Sequence, residues 1–198
     1  LHGENNNYMQ ILITGGLGYL GARLASHLLG KGYNVLVGTR KGLKSIKDPL
    51  SDTIPVQMDW TKNISLESAT RGMNTVIHAA GMDAKACFAN PSKALEINGL
   101  NTSMMVAASI ANNVKRFIYL STAHVYRSPM IGEIDETTPS TNLHPYATSK
   151  LAGEKIVLYA NKIGKIKGIV LRLSNGSGHP VFPENDCWHL ILNDLCRQ

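Results

Sequence analysis

Short apolar runs bounded by turn residues alternate along this chain with longer stretches whose apolar positions recur at helical spacing. A continuous apolar run reads as a strand buried on both faces, the mark of parallel rather than antiparallel pairing. The pattern predicts strands at 10–14, 34–38, 54–58, 75–79, 116–121 and 168–173, and helices at 17–30, 64–71, 92–112, 144–163 and 185–196. Strand and helix alternating from end to end predict an α/β architecture, a doubly wound, mostly parallel sheet covered on both faces. The segment 124–143 is polar, carries Pro129 and Pro139 and shows no period, so it reads as a long loop of the kind that often carries function. No internal repeat, low-complexity tract or linker interrupts the pattern.

The first predicted strand runs into Thr14-Gly15-Gly16-Leu17-Gly18-Tyr19-Leu20-Gly21 and then a helix. The spacing reads as G-x-G-x-x-G on Gly16, Gly18 and Gly21, and as G-x-x-G-x-x-G on Gly15, Gly18 and Gly21. A side chain at such a turn would keep the backbone from closing tightly and from approaching a pyrophosphate. The helix that opens there aims free N–H groups and its positive dipole end at the anion. A glycine pattern alone is weak; a strand before it, a helix after it and a second strand closing a βαβ unit supply the required context. The expectation is a Rossmann fold that binds a dinucleotide.

At 198 residues and 43% hydrophobic, the chain is long enough for one well-buried domain. Leu1 to Tyr8 are polar and Asn-rich and are expected to be a disordered extension or an expression remnant ahead of Met9. No apolar run approaches membrane-spanning length and no charged-then-apolar leader precedes Met9, so a soluble protein with no membrane partner is expected. Cys87, Cys187 and Cys196 lack metal-ligand spacing, which predicts free thiols in a reducing, cytoplasmic compartment and no metal site. The net charge of +6 raises the question of nucleic acid, but the positives are neither gathered on one helix nor interleaved with aromatics, so no such partner is expected. One local cluster, Lys31, Arg40, Lys41, Lys44 and Lys47, has no acid among it. It reads either as a solvated loop or, through Arg40, as part of a cofactor site.

Tyr146 and Lys150 stand four residues apart near the start of the helix predicted at 144–163, which puts them on one face. A tyrosine loses its proton near pKa ~10, and a neighbouring cation favours the phenolate and brings it toward useful acid–base chemistry. Ser121-Thr122-Ala123-His124-Val125-Tyr126 follows the apolar strand at 116–121 directly. Ligands of open α/β sheets sit beyond the carboxyl ends of the strands, where such a hydroxyl could bond a reacting alcohol oxygen.

On these residues the chain resembles the extended short-chain dehydrogenase/reductases, the NAD(P)-dependent sugar-nucleotide epimerase/dehydratase family. The match runs in order through the glycine turn, Asp59, His78-Ala79-Ala80-Gly81, Asn98-Gly-Leu-Asn-Thr102, Ser121 to Tyr126, Tyr146-x-x-x-Lys150 and Arg172-Leu-Ser-Asn175. The resemblance implies Tyr146 as general acid/base, Lys150 lowering its pKa and holding the nicotinamide ribose, and Thr122 binding the substrate oxygen. It implies cofactor contacts at Gly15, Gly18, Tyr19, Leu20, Gly21, Asp59, Trp60, Ala79, Ala80 and Gly81, with Asp59 near the adenine. Asn98 reads either as a residue bonding locally in its helix or as a support of the cofactor site. His124 and Asn175 are candidate substrate contacts, His124 equally a solvated loop residue.

The departures narrow the reaction. Dehydratases of this family generally carry an acidic pair where this chain has Ala123 and His124, so 4,6-dehydration is not expected. Arg127 stands where the family often has glycine, and Gly178-His179 replaces its common Gly-Pro. An NAD site usually places an acid about 20 residues past the glycines, to bond the ribose 2′-OH. Here that position reads Gly38-Thr39-Arg40-Lys41, and Arg40 is suited to a 2′-phosphate, so NADP is preferred over NAD.

The leading expectation is an epimerase or a reductase/dehydrogenase acting on a nucleotide-linked sugar by hydride transfer. The alternative is a non-catalytic NADP-binding sensor or scaffold on the same fold. The domain is expected to run over 9–178, with 179–198 the start of a truncated substrate-binding lobe. The resemblance also implies a homodimer through the helices at 92–112 and 144–163, with Met104, Met105, Val106, Ile156 and Tyr159 as candidate contacts.

Overall fold

The computed structural model describes residues 9–40, 46–188 and 190–197; the extension at 1–8 and Lys41 and Lys44 of the basic cluster lie outside them. The strand β1 (Gln10–Thr14) enters α1 (Tyr19–Gly30) and the chain returns as β2 (Asn34–Thr39). β3 (Ile54–Gln57), α2 (Asn63–Thr70) and β4 (Thr75–His78) follow. Next come α3 (Ala84–Ala89), α4 (Pro91–Ala94) and α5 (Asn101–Ala111), with a π-helical turn (Leu95–Leu100) joining the last two. β5 (Arg116–Thr122), α6 (Pro145–Lys162), β6 (Lys167–Leu173) and α7 (Ile191–Arg197) complete the chain.

The strands form one six-stranded sheet in the order β3-β2-β1-β4-β5-β6, and every pair is parallel. The order reverses between β1 and β4, the point at which open sheets of this kind open a crevice beyond their carboxyl ends. Register places Thr14 between Gly38 and His78, so the ends of β2, β1 and β4 meet there. Alternate residues of each strand feed the two cores. Leu12, Val76, Phe117 and Tyr119 pack with α2, α5 and α6 on one face. Ile11, Ile13, Val35 and Val37 pack with Ala22 and Ala25 of α1 on the other. Burial on both faces is why these strands read as unbroken apolar runs rather than alternating ones.

The doubly wound parallel sheet is as expected, with every strand within a residue of its predicted position. The helix predicted at 92–112 is divided instead into α4, the π turn and α5, and α3 precedes it unannounced. Caps explain both starts: the Asp83 carboxylate accepts from the Ala86 N–H at 2.8 Å, and the Asn90 side chain accepts from the Lys93 N–H at 3.0 Å ahead of Pro91. The helix predicted from 185 begins only at Ile191, because Asn185 and Cys187 spend their polar groups on local turns and on the Leu17 carbonyl of the glycine turn. No helix among the described residues is long and apolar enough to cross a membrane.

Candidate functional site

Gly15 adopts φ +65°, and a Cβ on it would stand 2.8 Å from the Ala80 backbone, so the turn after β1 lies flat against the loop after β4. At Gly21 a Cβ would run into the Gly15 carbonyl, which ties the first turn of α1 to the loop. The Gly18 N–H donates to that same carbonyl at 2.9 Å. No side chain caps α1, so the N–H groups of its first turn stay open to a ligand. A cleft of about 610 Å³ opens over the ends of β1, β2 and β4. Gly15, Gly18, Arg40, Trp60, Ala79, Ala80 and Gly81 line it, as do His78, Asp83, Lys93, Ile97 and Asn101, which the sequence did not single out for it. A backbone cradle that a Cβ would fill, beneath an uncapped helix end, fits a pyrophosphate.

The side chains of three expected cofactor contacts, Asp59, Tyr19 and Leu20, are engaged elsewhere. The Asp59 carboxylate accepts from the Thr61 hydroxyl at 2.6 Å and the Thr61 N–H at 3.0 Å and pairs with Lys62 at 3.1 Å, outside the lining of the cleft. Those bonds, the Thr61 hydroxyl first, hold it at about 2. The Tyr19 hydroxyl donates to the Gly178 carbonyl at 2.9 Å and accepts from Arg23 and Asn193, each at 3.1 Å. Leu20 and Tyr19 both lie 3.1 Å from where a Cβ on Gly176 would stand, so their side chains meet the carboxy-terminal segment. Asn185 joins that segment to the turn by donating to the Leu17 carbonyl at 2.9 Å.

The second half of the site lies where β5 ends against α6. Thr122 is buried, accepts from the His124 N–H at 3.2 Å and lies beside the Tyr146 hydroxyl. His144 caps α6, its Nδ1 accepting from the Tyr146 N–H at 3.2 Å, with Pro145 at the first helical position. The ammonium of Lys150, also buried, donates to the Leu120 carbonyl at 2.6 Å and stands 4.3 Å from the centroid of the Tyr119 ring. Burial pulls its pKa down to about 8 against the opposing charge of Glu154. Burial likewise pushes the Tyr146 hydroxyl up, more than the neighbouring Thr122 hydroxyl lowers it. The net direction at Tyr146 is thus opposite to the one expected from Lys150, whose ammonium is bonded to backbone.

Asn98 sits in the π turn, a wide helical turn often found at functional sites. Its side chain leaves its own helix, accepting from the Met82 N–H at 2.9 Å and donating to the Ser149 hydroxyl at 3.0 Å. His124 is exposed and meets the Tyr146 ring edge-on, with centroids 6.5 Å apart. Asn175 is exposed just past β6. The structure therefore gathers Thr122, Tyr146, Lys150, Asn98 and His124, and leaves Asp59 to one side. Sequence reasoning passed over His78, whose ring bridges the Thr14 hydroxyl at 2.7 Å and the Thr102 hydroxyl at 3.1 Å. It also passed over Glu154, although Tyr146, Lys150 and Glu154 repeat at a spacing of four, the signal of one helical stripe.

Comparison with known proteins gives a consistent answer. The model of the NAD dependent epimerase/dehydratase family matches residues 11–193. A UDP-glucose 4-epimerase of Halalkalibacterium halodurans is 30% identical over 175 residues, covering 86% of this chain and 52% of the relative. A dTDP-glucose 4,6-dehydratase of Streptomyces niveus is 26% identical over 190 residues, covering 89% of this chain and 56% of the relative. The crystal structure of Thermus thermophilus UDP-glucose 4-epimerase in complex with NAD superimposes with a TM-score of 0.79 at 25% identity, covering 90% of this chain and 59% of that one. The chain spans about half the length of the curated relatives it matches.

Proposed function

The chain belongs to the NAD dependent epimerase/dehydratase family, and from that membership we propose that it carries the cofactor site and acid–base centre of an enzyme acting on a nucleotide-linked sugar. The observation that carries this reading is the placement of buried Thr122, at the end of β5, beside Tyr146 and Lys150 of α6, next to a cleft whose backbone cradle fits a pyrophosphate. A bound nicotinamide cofactor supplies the acceptor and donor of hydride. The residues of the chain then handle the proton and the oxygen. Thr122 orients the sugar hydroxyl, and Tyr146 takes its proton as the carbon gives up hydride and returns it when the keto sugar is reduced. Tyr146 must ionise against its burial, and in this reading the neighbouring Thr122 hydroxyl and the Lys150 charge one helical turn away favour that step.

Return of hydride to the opposite face gives epimerisation; a net two-electron change gives a reductase or dehydrogenase. The relatives include both an epimerase and a dehydratase, so the choice rests on the site. Elimination of water needs an acid and a base beside the sugar, and the turn after Thr122 offers Ala123 and His124, neither a carboxylic acid. We therefore place the reaction with epimerases and reductases. For the cofactor, Arg40 at the end of β2 lines the cleft and favours NADP over NAD. Residues 9–178 form the nucleotide-binding domain and 179–198 open the substrate lobe in this reading, and the compartment is the cytoplasm. A homodimer through α5 and α6 has Leu100 and Tyr159 exposed to serve it, whereas Met105 and Val106 are spent in the core; sedimentation at two concentrations tests it.

The decisive experiment assays Tyr146→Phe in the full-length gene product against UDP- and dTDP-linked sugars. Loss of about 10²-fold or more in turnover with cofactor affinity kept is the expected result. Near-full turnover overturns the acid–base role. Cofactor binding by the wild type without turnover of any nucleotide sugar replaces the enzyme reading with the non-catalytic one.

A further inference from the structure

Two positions on one stripe of α6 grip neighbouring residues of β5, and a third, Tyr146, lies beside Thr122 at the strand's end. Lys150 donates to the Leu120 carbonyl at 2.6 Å, and the carboxylate of Glu154 accepts from the Ser121 hydroxyl at 2.5 Å. The helix comes this close because residue 153 is glycine: a Cβ there would stand 2.5 Å from the Tyr119 hydroxyl and 2.7 Å from the Asn98 carbonyl. Glu154 is fully buried, and its other partner is Arg172 of β6, which donates to both carboxylate oxygens through Nε at 3.1 Å and to Oε2 through Nη2 at 2.8 Å. Arg172 in turn lies 4.7 Å over the Tyr126 ring, just past the turn that carries His124. A buried carboxylate with this many partners is a costly feature, and none of the roles assigned to Tyr146, Lys150 or Thr122 accounts for it.

We propose that Glu154 is the positioning residue of this site: it clamps the end of β5 so that Thr122 meets Tyr146, and it supplies the negative charge that faces the buried ammonium of Lys150. The proposal rests on the reading of Tyr146 and Lys150 as the acid–base centre. The Lys150 ammonium lies over the Tyr119 ring of β5, feels the charge of Glu154 one turn on and of Cys87 of α3, and acts in turn on His78 of β4. Glu154 is the residue among them that carries a carboxylate, and its charge is the largest influence opposing the cost of Lys150 burial. Arg172 holds that carboxylate in place beside β5. Without it, a buried ammonium bonded to one carbonyl gives up its proton more readily.

The test follows the Lys150 side chain directly, by the titration of its 13Cε resonance in 13C-lysine-labelled protein, assigned with Lys150→Arg. In the wild type the midpoint is expected near 8. In Glu154→Gln it falls by about one pH unit or more, and Glu154→Asp, which keeps the charge, recovers part of the shift. Because Glu154→Gln leaves Arg172 without a counter-ion, Glu154→Gln with Arg172→Met is measured beside it; both charges are then gone and the fold has a neutral pair in their place. A Lys150 midpoint unchanged in both variants overturns the proposal, as does a Glu154→Asp midpoint no higher than that of Glu154→Gln. Turnover of nucleotide sugars by the same full-length variants separates the two readings. A midpoint that moves in a protein that turns over no such sugar upholds the coupling and removes the enzyme reading. A sugar that turns over with an unmoved midpoint does the reverse.

Discussion

The cleft over β1 and the seam between β5 and α6 lie along one edge of the same sheet, yet they are built from different materials. The cleft is made by leaving side chains out: Gly15 lies against Ala80, Gly21 lies against the Gly15 carbonyl, and the N–H groups of α1 open onto it without a side-chain cap among the described residues. The seam is made by burying charge: Glu154 is paired with Arg172 and bonded to Ser121, and Lys150 is bonded to the Leu120 carbonyl. A backbone cradle resists change because there is no room in it. A charged seam resists change because each member, once its partner is removed, becomes an unpaired charge in a poor solvent. The two designs fail differently, and by different amounts.

The largest effect belongs to the seam. Glu154→Ala strands Arg172 and frees the Ser121 hydroxyl, and breaking a buried pair on one side costs about 3–5 kcal/mol. Urea denaturation measures it, and removing Arg172 as well should restore much of the loss. A loss under about 1 kcal/mol, the range of exposed pairs, would mean that the seam is wetter than its burial shows and would erase the contrast with the cleft.

His78 joins the two regions, bonding Thr14 at the cleft and Thr102 beneath the seam. Burial, aided by the Lys150 charge, holds its pKa at about 3, below the ordinary 6.5. Under pH 6.5 the unfolded chain takes a proton that the native ring refuses, so stability falls as the pH drops, at up to about 1.4 kcal/mol per pH unit, until about 3. Near pH 5 the loss from this ring is about 2 kcal/mol. Denaturation at pH 7, 6 and 5 reads the slope, and His78→Gln should flatten it. An unchanged slope in that variant would assign the acid sensitivity elsewhere and leave cleft and seam uncoupled.

Gly21→Ala attacks the cleft alone. The added methyl meets the Gly15 carbonyl, and since that atom is backbone the loop itself must shift. Overpacking of this kind costs about 1–3 kcal/mol. Cofactor affinity should fall with it while the Lys150 titration stays put, since the seam shares no atom with the turn. Calorimetric titration with NADPH beside the lysine spectrum separates the two, and a moved lysine would show that the regions are not independent.

The unequal legibility of the two regions in the sequence has the same origin. Glycine spacing, the apolar runs and the Tyr146–Lys150 repeat are local, so the parallel sheet and the glycine turn are legible in the order of residues alone, whereas the strand order is not. The seam depends on β6 returning beside β5 so that Arg172 reaches Glu154, a contact across 18 residues that no spacing announces. The π turn is likewise tertiary in origin: Asn98 bonds Met82 and Ser149, and a helix pattern from 92 to 112 carries no mark of it. Tyr19 and Asp59 fit the glycine and strand-end patterns, but the motif positions say nothing of the carboxy-terminal segment and the Thr61 turn that engage their polar groups.

The smallest effect is the one that would sharpen the cleft most. Arg40 lines it from the end of β2 and is exposed, so water screens whatever charge it offers. A charge-assisted bond to a 2′-phosphate there is worth about 1.4 kcal/mol, tenfold in affinity, rather than the larger value of a buried pair. Arg40→Ala should therefore weaken NADPH about tenfold and leave NADH alone, and the gap should close further as salt rises. Arg40→Asp should go past neutrality, repelling the phosphate while offering a ribose 2′-OH the acceptor that NAD sites place at this strand end. Fluorescence titrations of both cofactors against both variants decide the matter. Equal affinities in the wild type, or equal losses in Arg40→Ala, would remove the preference for NADP and leave the cleft a cradle for the pyrophosphate that both cofactors share.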